Sequence, residues 1–233
     1  LWVYLLGERY LAPDTRAQVR HEHVEERPLT RDEYQRIGAL IGLCSLNIVF
    51  WAVYEQQGNT MQSWADQHTA WPVVLGFQIP STWFQSVNPF IIILFAPLLD
   101  VFWRFQARRG TEPTSVSKMA IGCTLLGVSF IVMILAAQTV GTGRGSPFWP
   151  LLCTFLLTIG ELYLSPIGLS LVTKVSPVRV VSMMMGVWFL SSFFGNVLSG
   201  WIGVLYERWD KEAFFLLLTA LGVGAGLGIW AVN

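Results

Sequence analysis

The chain has 233 residues, 53% hydrophobic and 13% charged, with a mean hydropathy of +0.51. That balance excludes an ordinary water-soluble domain. Lys plus Arg and Asp plus Glu each number 15, so the formal net charge is zero and nothing favours nucleic acid as a partner.

Taken in order, the chain opens with Leu1–Gly7, an apolar piece too short to cross a bilayer, which reads as the end of an upstream helix. The first residue is Leu rather than Met, and the sequence reads as part of a longer protein. Residues 8–31 form a charged, turn-rich linker. Its His21-Glu22-His23 cluster lacks the His-x-x-x-His spacing that sets two ligands on one helical face, so a solvated loop is expected rather than a metal site. Thr30 with Glu33 fits a capping box opening the first long helix. From residue 32 to 233 the sequence predicts a six-helix membrane bundle. Its spans are Ile37–Gln57, Trp83–Trp103, Met119–Val140, Phe148–Thr173, Val180–Tyr206 and Ala213–Val232. Each covers the roughly 20 residues a helix needs to cross hydrocarbon.

Gly141 to Gly145 resembles a phosphate cradle but lacks the following Lys-Ser/Thr, and it reads as a tight turn between spans. Cys44, Cys123 and Cys153 lie singly in apolar runs, too scattered for a disulfide framework or a zinc site, and read as helix packing. In the last span Gly222, Gly224, Gly226 and Gly228 allow close approach of a neighbouring helix. Lysine and arginine are distributed unevenly between the two sides of the bundle. Alternate flanks carry 12 against 3, which predicts a cytoplasmic N-terminal flank and, after six crossings, a cytoplasmic C-terminus.

Helical spacing sorts the polar residues onto faces. Asn47, Trp51 and Glu55 form one stripe, and Gln85 and Asn88 another, with Pro89 next. Glu161 and Ser165 stack above Pro166, and Trp188, Ser192, Asn196 and Ser199 share a face beside Phe189. Pro89 and Pro166 each predict a kink, because proline removes a backbone donor and crowds the preceding turn. For the Ser and Asn residues, plain interhelical hydrogen bonding is the competing reading. For Glu161 it is not: a mid-span carboxylate is expensive, at least ~2–3 kcal/mol, and no other span offers a basic partner. Its partner is expected to be water, a proton, a cationic substrate or a basic residue elsewhere. Glu55 lies about 28 Å along its helix from Arg36, counting 1.5 Å per residue, towards the outer side. There, a rim position without a coupling role is the alternative.

These residues carry a resemblance. Phe50-Trp51…Glu55-Gln56, Gln85-Ser86-Val87-Asn88-Pro89, Gly160-Glu161-Leu162…Leu164-Ser165-Pro166-Ile167-Gly168-Leu169 and Trp188-Phe189 follow in the order and spacing of the proton-dependent oligopeptide transporters, a branch of the major facilitator superfamily. The likeness covers residues 28–233 and closely resembles the C-terminal half of that family. It implies an all-α membrane protein in which this chain is the six-helix C-terminal bundle, helices seven to twelve, of a twelve-helix fold. The N-terminal six-helix bundle would be its partner. The short outer loop Thr139–Pro147 resembles the bacterial branch, and with it comes an inner (plasma) membrane location, multi-pass in the lipid bilayer.

The resemblance further implies import of di- and tripeptides with protons, by alternating access. No cofactor is implied; protons are the coupling ion. Glu161 matches the carboxylate expected to bind the peptide's amino terminus and to face a lysine of the other bundle. Glu55 matches the acidic residue expected to exchange protons and pair with an arginine there. Asn88 matches a contact to the peptide backbone, and Trp51, Trp188, Phe189 and Ser192 match side-chain pockets. Ser165, stacked on Glu161, belongs with the substrate-binding set. The family's Glu-x-x-Glu-Arg motif belongs to its first helix and does not occur in this sequence.

Two other functions compete. One is a non-transporting scaffold or receptor on the same fold; the other is a carrier of nitrate or another anion, which Glu161 would repel. An intramembrane enzyme is not expected, since no span carries a histidine and Asp100 sits at a membrane edge.

Overall fold

The computed structural model describes residues 29–141 and 143–231. The expected upstream piece 1–7, residues 8–28 of the linker with the histidine cluster, Thr142 and Val232 lie outside the described residues.

The first helix, α1 (Arg31–Tyr54), begins at a capping box: Thr30 Oγ1 accepts from the Glu33 N–H while the Glu33 carboxylate accepts from the Thr30 N–H at 2.8 Å. It tightens into a 3₁₀ turn over Glu55–Gln57 and breaks at Gly58. A short helix α2 (Thr60–Gln67) then carries the span further than hydropathy alone suggested.

Next comes a two-stranded hairpin, β1 (Val73–Val74) with β2 (Phe77–Gln78), between the first two expected spans. Its two-residue turn, Leu75-Gly76, has φ of 52° and 81°. That handedness suits the twist of a hairpin but is uncommon for leucine.

A 3₁₀ turn over Ser81–Ser86 leads into α3 (Val87–Arg108). Three long helices follow: α4 (Ser115–Val140), capped by Thr114, then α5 (Phe148–Val175) and α6 (Val181–Arg208). The last is α7 (Lys211–Ala231). The described residues thus hold six helices long and apolar enough to cross a membrane, at the places expected.

The proline expectations divide. Pro89 stands in the first turn of α3, where a missing N–H costs no intrahelical bond; the irregularity of that span lies at the 3₁₀-to-α junction before it. Pro166 does stand inside its helix, and so does Pro97 in α3, to which the sequence reading attached no meaning.

α4 is the centre of the bundle, gripped by α5 on one side and α7 on the other. Side chains in lipid gain no hydrophobic drive from pairing, so helices associate through close packing and polar contacts. Gly122 of α4 meets Gly160 of α5 backbone to backbone, and Gly127 of α4 meets Gly222 of α7 in the same way. Gly226 also faces α4, at Thr124, whereas Gly228 faces Leu46 and Gly224 faces open space. Alternate residues lie on different sides of a helix, so only part of the glycine series serves one seam.

α1 packs on α6 through buried polar side chains. Asn47 donates to Ser191 Oγ at 2.8 Å, and Gln56 donates to the Ser199 carbonyl at 2.9 Å and to its hydroxyl at 3.0 Å. Aromatic residues close one end, where Trp64 of α2 meets Phe215 at 5.7 Å between centroids and Phe214 meets Tyr206 at 5.2 Å. All three cysteines are buried and free, as packing residues should be.

α3 and α6 instead present apolar side chains outward, Phe90, Ile93, Phe193 and Trp201 among them. Such faces are costly in water and at home against lipid or another apolar surface.

Candidate functional site

Four helices converge on one cleft of about 510 Å³. α1 contributes Trp51, α3 contributes Ile92, α5 contributes Glu161, Leu162, Ser165, Pro166 and Leu169, and α6 contributes Trp188, Phe189 and Ser192. Glu161, Ser165 and Leu169 recur every four residues along α5, so one helical face delivers them together. Trp188 can lie against α5 because residue 168 is glycine: a Cβ there would run into the indole ring.

Among the described residues, Glu161 is the only charged one on the cleft wall. Its Oε2 accepts from the Tyr54 hydroxyl at 2.6 Å and from Asn88 Nδ2 at 3.3 Å. Asn88 Nδ2 also lies 3.0 Å from the Tyr54 oxygen and 3.0 Å from Thr158 Oγ1, which itself donates to the Thr154 carbonyl at 2.7 Å. Asn88, placed in the first turn of α3, therefore ties that helix to α1 and α5 at the carboxylate. The mid-span glutamate is not bare, as its isolation in the sequence suggested. It is met by neutral donors, and among the described residues no cation pairs with it.

Glu55 is half-buried at the start of the 3₁₀ turn and does not line the cleft, though it lies within electrostatic reach of Glu161. The stripe read as Asn47–Trp51–Glu55 is thus divided among three surroundings: the α6 seam, the cleft, and the turn that ends α1. Gln85 does not join Asn88 but donates to Gln62 of α2. On α6, Trp188 and Ser192 reach the cleft. Ser199 is spent on Gln56, and Asn196 is exposed, bonding back to the Ser192 carbonyl.

Two polar residues of the site, Tyr54 and Thr158, were not picked out from sequence, nor was Ile92 on the cleft wall. Both polar residues lie three residues from residues that were, Trp51 and Glu161, so helical spacing could have found them. The buried lysine Lys118 pairs with Glu112, sits 4.6 Å from the centre of the Trp103 ring, and is not on the cleft wall.

The sequence and the fold both have known counterparts. A peptide transporter of Yersinia enterocolitica subsp. palearctica, YePEPT, is 41% identical over 157 residues, covering 66% of this chain and 30% of the relative. A di-/tripeptide transporter of Lactococcus lactis subsp. cremoris is 32% identical over 200 residues, covering 84% of this chain and 40% of the relative. A crystal structure of a peptide transporter, POT, in complex with sulfate superposes with a TM-score of 0.81 at 31% identity, over 99% of this chain and 45% of that one. The chain spans less than half the length of each of these proteins. Residues 16–217 match the sequence model described as PTR2, POT family. With that match over most of its length, the chain belongs to the POT family.

Proposed function

We propose that this chain is the C-terminal six-helix bundle of a proton-coupled symporter that imports di- and tripeptides by alternating access, and that the cleft beside Glu161 is its half of the peptide site. One observation carries the reading. A carboxylate stands on an aromatic-walled cleft, held by neutral hydrogen-bond donors and, among the described residues, paired with no cation. A charge so placed is completed by a positive ligand group or a basic side chain from an opposing surface. Peptides of every sequence share an ammonium, a carboxylate and amides. Glu161 suits the ammonium. The hydroxyls of Ser165 and Ser192 suit the peptide backbone, as does the side-chain carbonyl of Asn88, whose NH2 group is engaged by Tyr54, Thr158 and Glu161, while Trp51, Trp188 and Phe189 offer walls that accept varied side chains. The names borne by the Yersinia and Lactococcus relatives agree with peptides as substrates.

The opposing wall belongs to the N-terminal six-helix bundle, with a lysine facing Glu161 and an arginine pairing with Glu55. Protons are the coupling ion, and no cofactor takes part. The excess of lysine and arginine on one set of flanks supports a multi-pass arrangement in the inner membrane with the C-terminus in the cytoplasm. An anion carrier is the weaker reading, since the charge of Glu161 on the cleft wall repels its cargo.

The test is uptake of labelled Ala-Ala by the intact transporter in proteoliposomes, with and without an inward proton gradient. Gradient-driven uptake is expected from the wild type and none from Glu161→Gln. Uptake by that variant equal to wild type would overturn the role of Glu161.

A further inference from the structure

The two oxygens of the Glu161 carboxylate are treated differently. Oε2 is taken by Tyr54 and Asn88. Oε1 receives no hydrogen bond from the described residues and is not among the atoms sealed in the interior, so it opens on the cleft. Asn88 has only amide hydrogens to give, so at the Tyr54 oxygen it is the donor and the phenol's own proton is directed to Glu161. The ring cannot swing away easily. It stacks on Phe50 at 5.8 Å and meets Trp51 edge-on at 5.3 Å.

We propose that Tyr54 is a positioning residue that occupies one oxygen of Glu161 and so makes the carboxylate a single-oxygen receptor, matched to a primary ammonium and mismatched to a planar, two-pronged cation. The inference rests on the reading of Glu161 as the ammonium site. An ammonium is a compact charge satisfied by one oxygen, whereas a guanidinium delivers parallel N–H groups and is held best by both oxygens of a carboxylate. With Oε2 occupied, only the first fits well. Tyr54 would then act as a filter for the chemical form of the peptide's amino terminus.

The experiment measures binding of Gly-Ala and of its N-terminally guanidinylated form to the intact purified transporter, by calorimetry. The proteins are wild type, Tyr54→Phe, Glu161→Gln and the double variant, with the melting temperature of each recorded. Phenylalanine keeps the ring contacts and removes only the hydroxyl.

Wild type is expected to prefer Gly-Ala. Tyr54→Phe should narrow that preference about tenfold, the order of one charge-assisted hydrogen bond. In the Glu161→Gln background Tyr54→Phe should change nothing further. An unchanged preference in Tyr54→Phe, or equal losses with and without the Glu161 carboxylate, would overturn the proposal, because Tyr54 would then act through packing alone. Gly-Ala binding unaffected by Glu161→Gln would instead overturn the underlying assignment of the ammonium site.

Discussion

A Cβ placed on Gly122 would stand 2.6 Å from the carbonyl oxygen of Gly160, and one on Gly160 would stand 2.7 Å from the carbonyl oxygen of Gly122. This reciprocal contact between α4 and α5 lies directly beside Glu161. It fixes how α5 is rotated, so that the residue after Gly160 turns away from α4 and towards Tyr54 and Asn88. The packing seam and the functional face of α5 are therefore set by consecutive residues.

Gly122→Ala tests that seam. The new methyl meets backbone, which cannot rotate aside, and overpacking costs ~1–3 kcal/mol. The gain in helix propensity over glycine is only ~1 kcal/mol, so a net loss is expected. Gly224→Ala, with nothing within 4 Å, should show no such loss. Melting curves of the two variants in detergent check the contrast; equal melting temperatures would refute it.

Gly168→Ala should disturb the cleft more than the fold. The added Cβ strikes the far edge of the Trp188 ring, a side chain that can shift. Dipeptide affinity is expected to fall severalfold with little change in melting temperature. If affinity holds, Trp188 does not shape the bound peptide.

Glu55→Gln should separate coupling from binding. Glu55 stands off the cleft wall but near the Glu161 charge, a position suited to carrying or gating a proton without holding the peptide. Gradient-driven accumulation should be lost while peptide counterflow, which needs no net proton movement, continues. Equal loss of both would mark a binding or folding defect, and intact accumulation would assign the proton to another group.

Pro166→Ala addresses movement. Pro166 lies inside α5 on the cleft wall, and restoring a backbone donor there stiffens the helix. Peptide affinity should stay close to wild type while transport slows, because the binding groups remain in place. Affinity and rate falling together would show that Pro166 only aims Glu161; a variant matching wild type in both would remove any role for it.

Much of this protein is legible in its sequence. Hydropathy and length locate six spans, all but the first to within about five residues; the first runs on through α2 to Gln67, while Thr30 with Glu33 announces its start. These are local properties, set by which side chains tolerate hydrocarbon and which backbone groups need a cap. Spacing along single helices likewise found Glu161, Ser165, Trp188 and Ser192, which do line one cleft.

Tertiary structure decided the rest. That Asn88 belongs with Glu161 while Gln85 belongs with Gln62, and that Glu161 has Tyr54 for a partner, depends on how separate helices are rotated and set against one another. Those rotations come from glycine seams such as Gly122–Gly160, where two backbones touch, and from polar pairs such as Asn47–Ser191. Periodicity within one helix identifies a face; only contacts between residues distant in the chain determine what that face meets.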